Sequence, residues 1–377
     1  MLKLNLWYNL VKNLGDKMFR KLVLIVLFSI FACATEVIDI LDRKVDIKDN
    51  PKRVVLTFYF EEYFTATKDD GIDKIVGWSR KYWEGRRQAS WDAFKEKFPQ
   101  IDEIPDVGYG PKNTISFEKI ISLKPDVVVF ALNDYAKVKN NLANLEAANI
   151  PAVFIDFHDQ KLSNHVKSME ILGEIFKTQD KVKKVVEFYK SKFEIVQNRL
   201  KNIPNFKKPK VYLEFSEKDG PSVFGGTWDD KMWGAFANIA GGENIAKGIV
   251  KGTTATINPE LIIAKNPDVI IFAGNYFLNS YKNIPLGYGI TKEQAKANLK
   301  AYATRPGWNS INAVKNGHIY ALYHDLSRHI FDFTGVLFFA KALHPEIFSD
   351  IEPEEELKKF FDEFYPVKYS GTWMISY

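Results

Sequence analysis

Residues 114–131 read Thr-Ile-Ser-Phe-Glu-Lys-Ile-Ile-Ser-Leu-Lys-Pro-Asp-Val-Val-Val-Phe-Ala, and residues 256–273 read Thr-Ile-Asn-Pro-Glu-Leu-Ile-Ile-Ala-Lys-Asn-Pro-Asp-Val-Ile-Ile-Phe-Ala. At a constant offset of 142, ten of the eighteen positions are identical. Each stretch has the pattern of a helix, a Pro-Asp turn and a continuous apolar strand. Reuse of Pro-Asp before a strand explains a few of the matches, not ten. A period this long marks a whole lobe used twice, unlike the roughly 20 to 50 residue unit of a solenoid.

Outward from the first copy, Val54 to Phe60 reads as a buried strand by its β-branched and aromatic content, and Lys74 to Ser79 as a second. Ser116 to Leu123 reads as helix, Asp126 to Ala131 as strand, Tyr135 to Ala148 as helix and Ala152 to Phe157 as strand. This alternation predicts an α/β fold with parallel sheets covered on both faces. Between the copies, Val182, Val185, Val186, Tyr189, Phe193, Val196 and Leu200 follow the spacing of an amphipathic helix over Asp180 to Lys201, about 33 Å long. Pro204 and Pro209 close it, and Lys210 to Phe215 opens the second sheet.

The expected architecture is two Rossmann-like lobes, 45–178 and 204–377, joined by a single long α-helix at 179–203, with a ligand cleft between the lobes. One continuous helix resists bending, so the lobes should rock through only a modest angle.

Phe19-Arg20-Lys21, the apolar run Leu22 to Phe31 and Ala32-Cys33-Ala34 form a basic region, a hydrophobic region and a small-residue cleavage site. Residues 1–34 are therefore expected to be an export signal to the periplasm, with Met18 as the true start. Ten apolar residues are too few for the roughly 20 of a spanning helix. Removing the signal takes away five Lys and Arg and one Asp, so the formal net charge falls from +5 to +1. Nucleic-acid binding then loses its electrostatic support. Cys33 is the only cysteine, which excludes disulfides and thiolate metal sites from the exported chain. Ile30-Phe31-Ala32-Cys33 loosely resembles a lipobox, which would make Cys33 a lipid anchor.

Ligands of open α/β sheets sit beyond the carboxyl ends of the strands. The residues there are aromatic: Tyr59, Phe60, Trp78, Trp83, Tyr109 and, near Asn133, Tyr135 in the first lobe; Trp228, Trp233 and Tyr276 in the second. Such a lining suits a flat or compact organic ligand. Arg80, Arg86, Arg87, Arg305 and Arg328 are candidate partners for anionic groups, Arg305 and Arg328 foremost. The six histidines show no dense ligand spacing, so a metal held wholly by protein is not expected. His158 and His324 could fill an open position on a chelated metal. No nucleophile elbow, phosphate loop, dinucleotide fingerprint or redox cysteine pair is present, so the chain is not expected to be an enzyme or to carry an intrinsic cofactor.

Further marks are Pro51-Lys-Arg-Val-Val, the Val107-Gly108 turn before Ser116-Phe-Glu-Lys-Ile, Leu123-Lys-Pro-Asp-Val-Val-Val, Trp308-Asn-Ser-Ile-Asn-Ala-Val-Lys-Asn-Gly-His-Ile-Tyr320 and Ala340-Lys-Ala-Leu-His-Pro-Glu-Ile-Phe348. In order and spacing, over roughly Val45 to Tyr365, the sequence resembles the periplasmic binding proteins for iron siderophores, haem, corrinoids and related metal chelates. The resemblance implies two lobes on a rigid helix and a monomer that hands a metal chelate, a nickel complex included, to the permease dimer of an ABC importer. It also implies one exposed glutamate per lobe that meets arginines of the permease, at Glu118 and Glu260, which are equivalent positions of the repeat. Paired carboxylates suit a pseudo-symmetric partner by steering its docking. His344 falls in a family motif and is expected to be structural. Two other readings stay open: a direct binder of free transition-metal ions, and an exported enzyme acting on a chelate. The segment Lys81 to Pro105 is longer than the resemblance implies and is expected to overhang the cleft.

Overall fold

The computed structural model describes residues 34–377 except 68, 204–205, 218, 277–279 and 281. Met18, Cys33 and all but the last residue of the expected signal lie outside the described residues. The strands are β1 (Ala34–Ile38), β2 (Lys44–Lys48), β3 (Val54–Leu56), β4 (Ile75–Trp78), β5 (Val127–Ala131), β6 (Ala152–Ile155), β7 (Lys210–Phe215), β8 (Glu243–Asn244), β9 (Val269–Gly274), β10 (Ile319–Tyr323) and β11 (Met374–Ser376). The first lobe is built on a parallel sheet ordered β4-β3-β5-β6, and the second on β11-β10-β9-β7-β8, parallel except for β11 against β10.

The repeat is visible in the hydrogen bonding. Val127 pairs with Val54 of β3 and Val269 with Val211 of β7. The Asp of each Pro-Asp turn fixes the start of the neighbouring strand. Asp126 Oδ2 accepts from the amides of Lys52 and Arg53 at 2.8 and 3.0 Å, and Asp268 Oδ2 accepts from the amide of Lys210 at 3.0 Å. One carboxylate thus satisfies strand-end donors that would otherwise lack a partner.

Side chains alternate across the first sheet. Val54, Leu56, Val127, Val129 and Ala131 face a large core shared with the second lobe, whereas Val55, Val128 and Phe130 face a smaller outer cluster with Val107, Ile120 and Phe154. This is the period-two geometry of a strand with both faces buried.

Between the sheets in chain order lies the helix Gln179–Lys201, 23 residues long and so about 35 Å. Its apolar stripe touches both sides. Tyr189 stands 2.7 Å from His165 Nδ1 of the first lobe and 2.9 Å from Asp332 Oδ1 of the second. Phe188 packs on Phe333, Phe360 and Phe364, and Lys192 pairs with Glu356 at 2.6 Å.

Three expectations need correction. The run Val54 to Phe60 is not one strand: it stops at Leu56, and a helix, Phe60–Thr67, follows. Tyr59 makes the turn with φ +56°, a conformation that a strand cannot contain. Every residue of that helix is buried, so no polar face betrays it. The helix expected over Tyr135 to Ala148 is broken into Tyr135–Val138, a tighter turn at Lys139–Asn141, and Leu142–Ala147. The first lobe also begins before residue 45, because the β1–β2 hairpin is bonded to it. Ile40 N donates to Phe154 O at 3.1 Å and Arg43 to Ala152 O at 2.7 Å.

Candidate functional site

The first wall of the site grows from the ends of β3 and β4. Phe58, two residues past β3, sits within 5.0 to 6.1 Å of the rings of Tyr59, His158, Tyr82 and Tyr109. Tyr82 and Tyr109 stack with centroids 4.2 Å apart. Two glycines shape this backbone. Gly108 has φ +88°, and a Cβ there would lie 1.9 Å from the Thr114 carbonyl. A Cβ on Gly110 would lie 2.0 Å from Asp134 Oδ1. Burial pushes the Asp134 carboxyl up to about 6.

The facing wall belongs to the second lobe. His324, just past β10, is ringed by Phe215 at 4.7 Å, Trp228 stacked at 5.9 Å and Trp233 at 6.2 Å. The Trp233 indole N–H donates to His324 Nδ1 at 3.1 Å. Indole nitrogen can only donate, so a neutral His324 carries its proton on Nε2.

Between the walls lies a cavity of about 930 Å³, lined from the first lobe by Lys81, Tyr82, Tyr109, Lys112 and Lys119 among others and from the second by Phe215 and Glu217. Among the described residues, no carboxylate pairs with the ammonium groups of Lys81, Lys112 or Lys119. Asp106 and Glu217 line the same cavity, so three ammonium groups stand against two carboxylates, and a small positive excess beside stacked rings favours an anionic ligand with a flat face.

The expected site residues divide. Tyr109 lines this cavity, whereas Trp228 and His324 are buried in the aromatic group packed against Phe215 and do not line it. Tyr59 is buried, its hydroxyl 2.6 Å from His158 Nδ1 and accepting from Phe157 N, so it orients His158 and does not face a ligand. Asn133 Nδ2 lies 3.4 Å from His158 Nε2 on the exposed side. Trp83 is a correction. It is buried in the core, edge-on to Phe60 at 4.4 Å and Phe94 at 4.9 Å, because the helix Arg80–Arg86 turns Tyr82 and Lys81 toward the cavity and its next residue inward. The long segment therefore contributes to the cleft through Lys81, Tyr82 and Gly85. Tyr135 packs on Phe154 in the outer cluster, and Tyr276 is half-buried against the main core.

Arg305 is a second correction. It makes a buried bidentate pair with Glu214, at 2.6 and 2.7 Å, and donates to the carbonyls of Pro221 and Val223. All of this is internal structure. His344 donates to Ala240 O and is likewise structural. Arg328 stays half-buried and 3.5 Å from Asp325. Tyr82, Phe58 and Phe215 escaped sequence reasoning, although Phe58 and Phe215 lie at strand ends where aromatics were being sought.

Glu118 and Glu260 are both exposed in the first turns of short helices, Phe117–Ser122 and Pro259–Lys265. Ser116 and Asn258 cap these helices by accepting from backbone amides. Acidic side chains are favoured there by the helix dipole, and equivalent caps give the two carboxylates equivalent settings.

Two α/β lobes on one helix, with an aromatic cavity between them at the strand ends, define a solute-binding protein. Residues 72–326 match the family model described as periplasmic binding protein, and the chain belongs to that family. The crystal structure of a TroA-like periplasmic binding protein, FepB from Veillonella parvula, is similar with a TM-score of 0.86 at 33% identity, over 90% of this chain and 99% of that one. YvrC of Bacillus subtilis, an uncharacterized ABC transporter substrate-binding lipoprotein, is 25% identical over 314 residues, 83% of this chain and 86% of its own. The molybdate-binding protein MolA of Haemophilus influenzae is 22% identical over 359 residues, 88% of this chain and 91% of its own. Its molybdate-bound structure shares the fold with a TM-score of 0.64 at 19% identity, covering 89% of this chain and 99% of that one. Among the described residues no helix is long and apolar enough to cross a membrane.

Proposed function

We propose that this chain is the receptor of an ABC importer that captures an anionic metal chelate in the inter-lobe cavity and delivers it, as a monomer, to a permease dimer. The carrying observation is the cavity of about 930 Å³ with stacked Tyr82 and Tyr109 on one wall and unpaired lysines at its rim. That volume falls in the range of roughly 300 to 1,000 Å³ typical of small-molecule sites. The metal arrives already chelated and the protein grips the organic shell: rings stack on flat ligand surface and lysines offset its charge. Glu118 and Glu260 dock the loaded protein on permease arginines. Residues 1–34 act as the export signal; if the chain is instead lipidated, cleavage falls before Cys33, which becomes the anchor.

Tryptophan fluorescence titration against ferric siderophores, haem, corrinoids and nickel-histidine, with free nickel, free iron and molybdate as controls, tests the ligand class. Saturable quenching by a chelate and none by the free ions is expected. Tight binding of a bare ion, of molybdate alone, or steady chemical turnover of a bound chelate would overturn it. The double variant Glu118→Ala, Glu260→Ala should lose uptake in cells while keeping wild-type affinity. Loss of affinity instead would remove the docking roles.

A further inference from the structure

Five ionisable side chains from three distant stretches of sequence meet in a buried cluster where the lobes join. Glu61 and Glu62 come from the helix Phe60–Thr67, Arg87 from the junction of Arg80–Arg86 with Gln88–Lys97, and Asp325 and His329 from the loop after β10. None is more than 4% exposed. Arg87 lies 2.7 Å from Glu61 Oε1 and donates to Asp325 Oδ2 at 3.0 Å. It also stands 2.7 Å from His329 Nε2. Guanidinium only donates, so His329 Nε2 accepts and the ring proton sits on Nδ1, from which it is given to Glu62 Oε1 at 3.1 Å. The same oxygen accepts from Ile330 N at 2.8 Å.

Within the cluster these assignments leave Glu61 Oε2 without a hydrogen-bond partner, 3.6 Å from His329 Nδ1. Glu62 is hemmed in by burial and by the neighbouring Glu61 charge, which hold its carboxyl well above the usual range. Carboxylate oxygens of the two glutamates lie within 4.8 Å of one another, so a proton on Glu62 removes the repulsion between them. The charges then balance: Glu61 and Asp325 against Arg87 and Arg328, with Glu62 and His329 neutral.

We propose that this cluster is a proton-completed clasp that locks the two lobes together in the ligand-free protein and holds the loop His324–Arg328 in position at the cleft. Separating the lobes breaks the contacts of Arg87 with Asp325 and His329 and of His329 with Glu62. Each break strands a charge or polar group in a dry environment, which is strongly unfavourable. Asp325 is fixed from its own side by the Tyr323 hydroxyl at 3.0 Å. His324, its neighbour, is therefore placed by a residue of the opposite lobe. Gln160 adds a second crossing, donating to Ser327 O at 2.9 Å and accepting from Met232 N at 2.7 Å.

Glu61, Glu62 and His329 also bring ligand-type atoms within 4.8 Å of one another. A metal there would have to displace the Nδ1 proton while Arg87 donates to the other ring nitrogen, and would sit beside a guanidinium. The proton is the better occupant. The charged and titratable groups around Glu62 are Glu61 on its own helix, Arg87, the Asp325–Arg328–His329 loop, and the hydroxyls of Tyr59, Tyr189 and Tyr365.

The test uses the exported chain with spin labels on cysteines introduced at exposed Lys139 and Lys251, one per lobe, and inter-label distances measured without ligand. Wild type should give one narrow distribution. Arg87→Met should lengthen and broaden it, and Arg87→Lys, which covers the case of a misfolded Met variant, should do so partially. Glu62→Gln should stay narrow, because glutamine is neutral like the protonated acid and keeps an acceptor for His329 and Ile330. A pH series supplies the second readout. With its folded pKa raised, Glu62 contributes stability that is present below its unfolded value and lost as pH rises, so Glu62→Gln should gain on wild type as pH rises above the unfolded carboxylate value. A narrow distribution in both Arg87 variants, or a stability difference that does not move with pH, overturns the proposal. So does a rise in melting temperature with manganese, nickel or zinc that Glu62→Gln abolishes. None of these readings depends on which solute the cleft takes.

Discussion

Arg305 and Glu214 illustrate what a single residue pair contributes. Both are buried, the pairing is bidentate, and Tyr212 OH and Gly225 N complete the carboxylate's bonding. The guanidinium also lies over the rings of Phe224 at 4.3 Å and Trp308 at 4.9 Å. Arg305→Met leaves Glu214 charged in a dry pocket, so a loss of about 3 to 5 kcal/mol in denaturant unfolding is expected, with little change in any pH-independent affinity at the cleft. A loss under about 1 kcal/mol would mean that water reaches the pair. At this scale the sequence was least legible. An arginine or glutamate reads as a solvated side chain, and two of the three partners of Arg87, Asp325 and His329, lie 238 and 242 positions away, beyond any local pattern. Tyr82 and Trp83 are adjacent aromatics of which one faces the cavity and one the core, a choice made by helix rotation and invisible in composition.

At the scale of elements, the connecting helix was legible to within a residue, since its apolar stripe keeps helical spacing. The helix Phe60–Thr67 was not, since complete burial removes the periodic signal. The connecting helix carries a polar relay whose titration can be followed. His165 Nε2 faces the Asp159 carbonyl at 2.9 Å, and Nδ1 lies 2.7 Å from the Tyr189 hydroxyl. Tyr189 in turn donates to Asp332 Oδ1 at 2.9 Å, and burial holds the Asp332 carboxyl well above its usual range. Burial pushes His165 down to about 4. Its neutral form stabilises the fold above the unfolded value of about 6.5, and that contribution is lost as pH falls toward 4. Wild type should therefore lose about 3 kcal/mol relative to His165→Asn over that interval, as read from urea midpoints. Parallel curves for the two proteins would show that water solvates the ring.

For the whole molecule, the main apolar core contains residues of both lobes, from Val37 to Ile375, with Tyr189 and Phe193 of the connecting helix inside it. The lobes are thus two sheets around one interior, and wild type is expected to unfold in a single transition, near-ultraviolet and far-ultraviolet dichroism melting together. Two separated transitions would contradict a shared interior. The duplicated architecture was readable from eighteen residues because both copies keep the same turn and strand. The seam between them was not, because it is built from unique loops.

The matched positions of Asp126 and Asp268 carry one more consequence. If each carboxylate does nothing but anchor the strand beside it, the two eighteen-residue stretches are interchangeable parts. A chimera with the sequence of residues 114–131 transplanted into positions 256–273 should still fold, weakened by about 1 to 3 kcal/mol where Ile270 and Ile271 become valine. A transplant that never folds would mean that the halves have kept a common ancestry and lost their exchangeability.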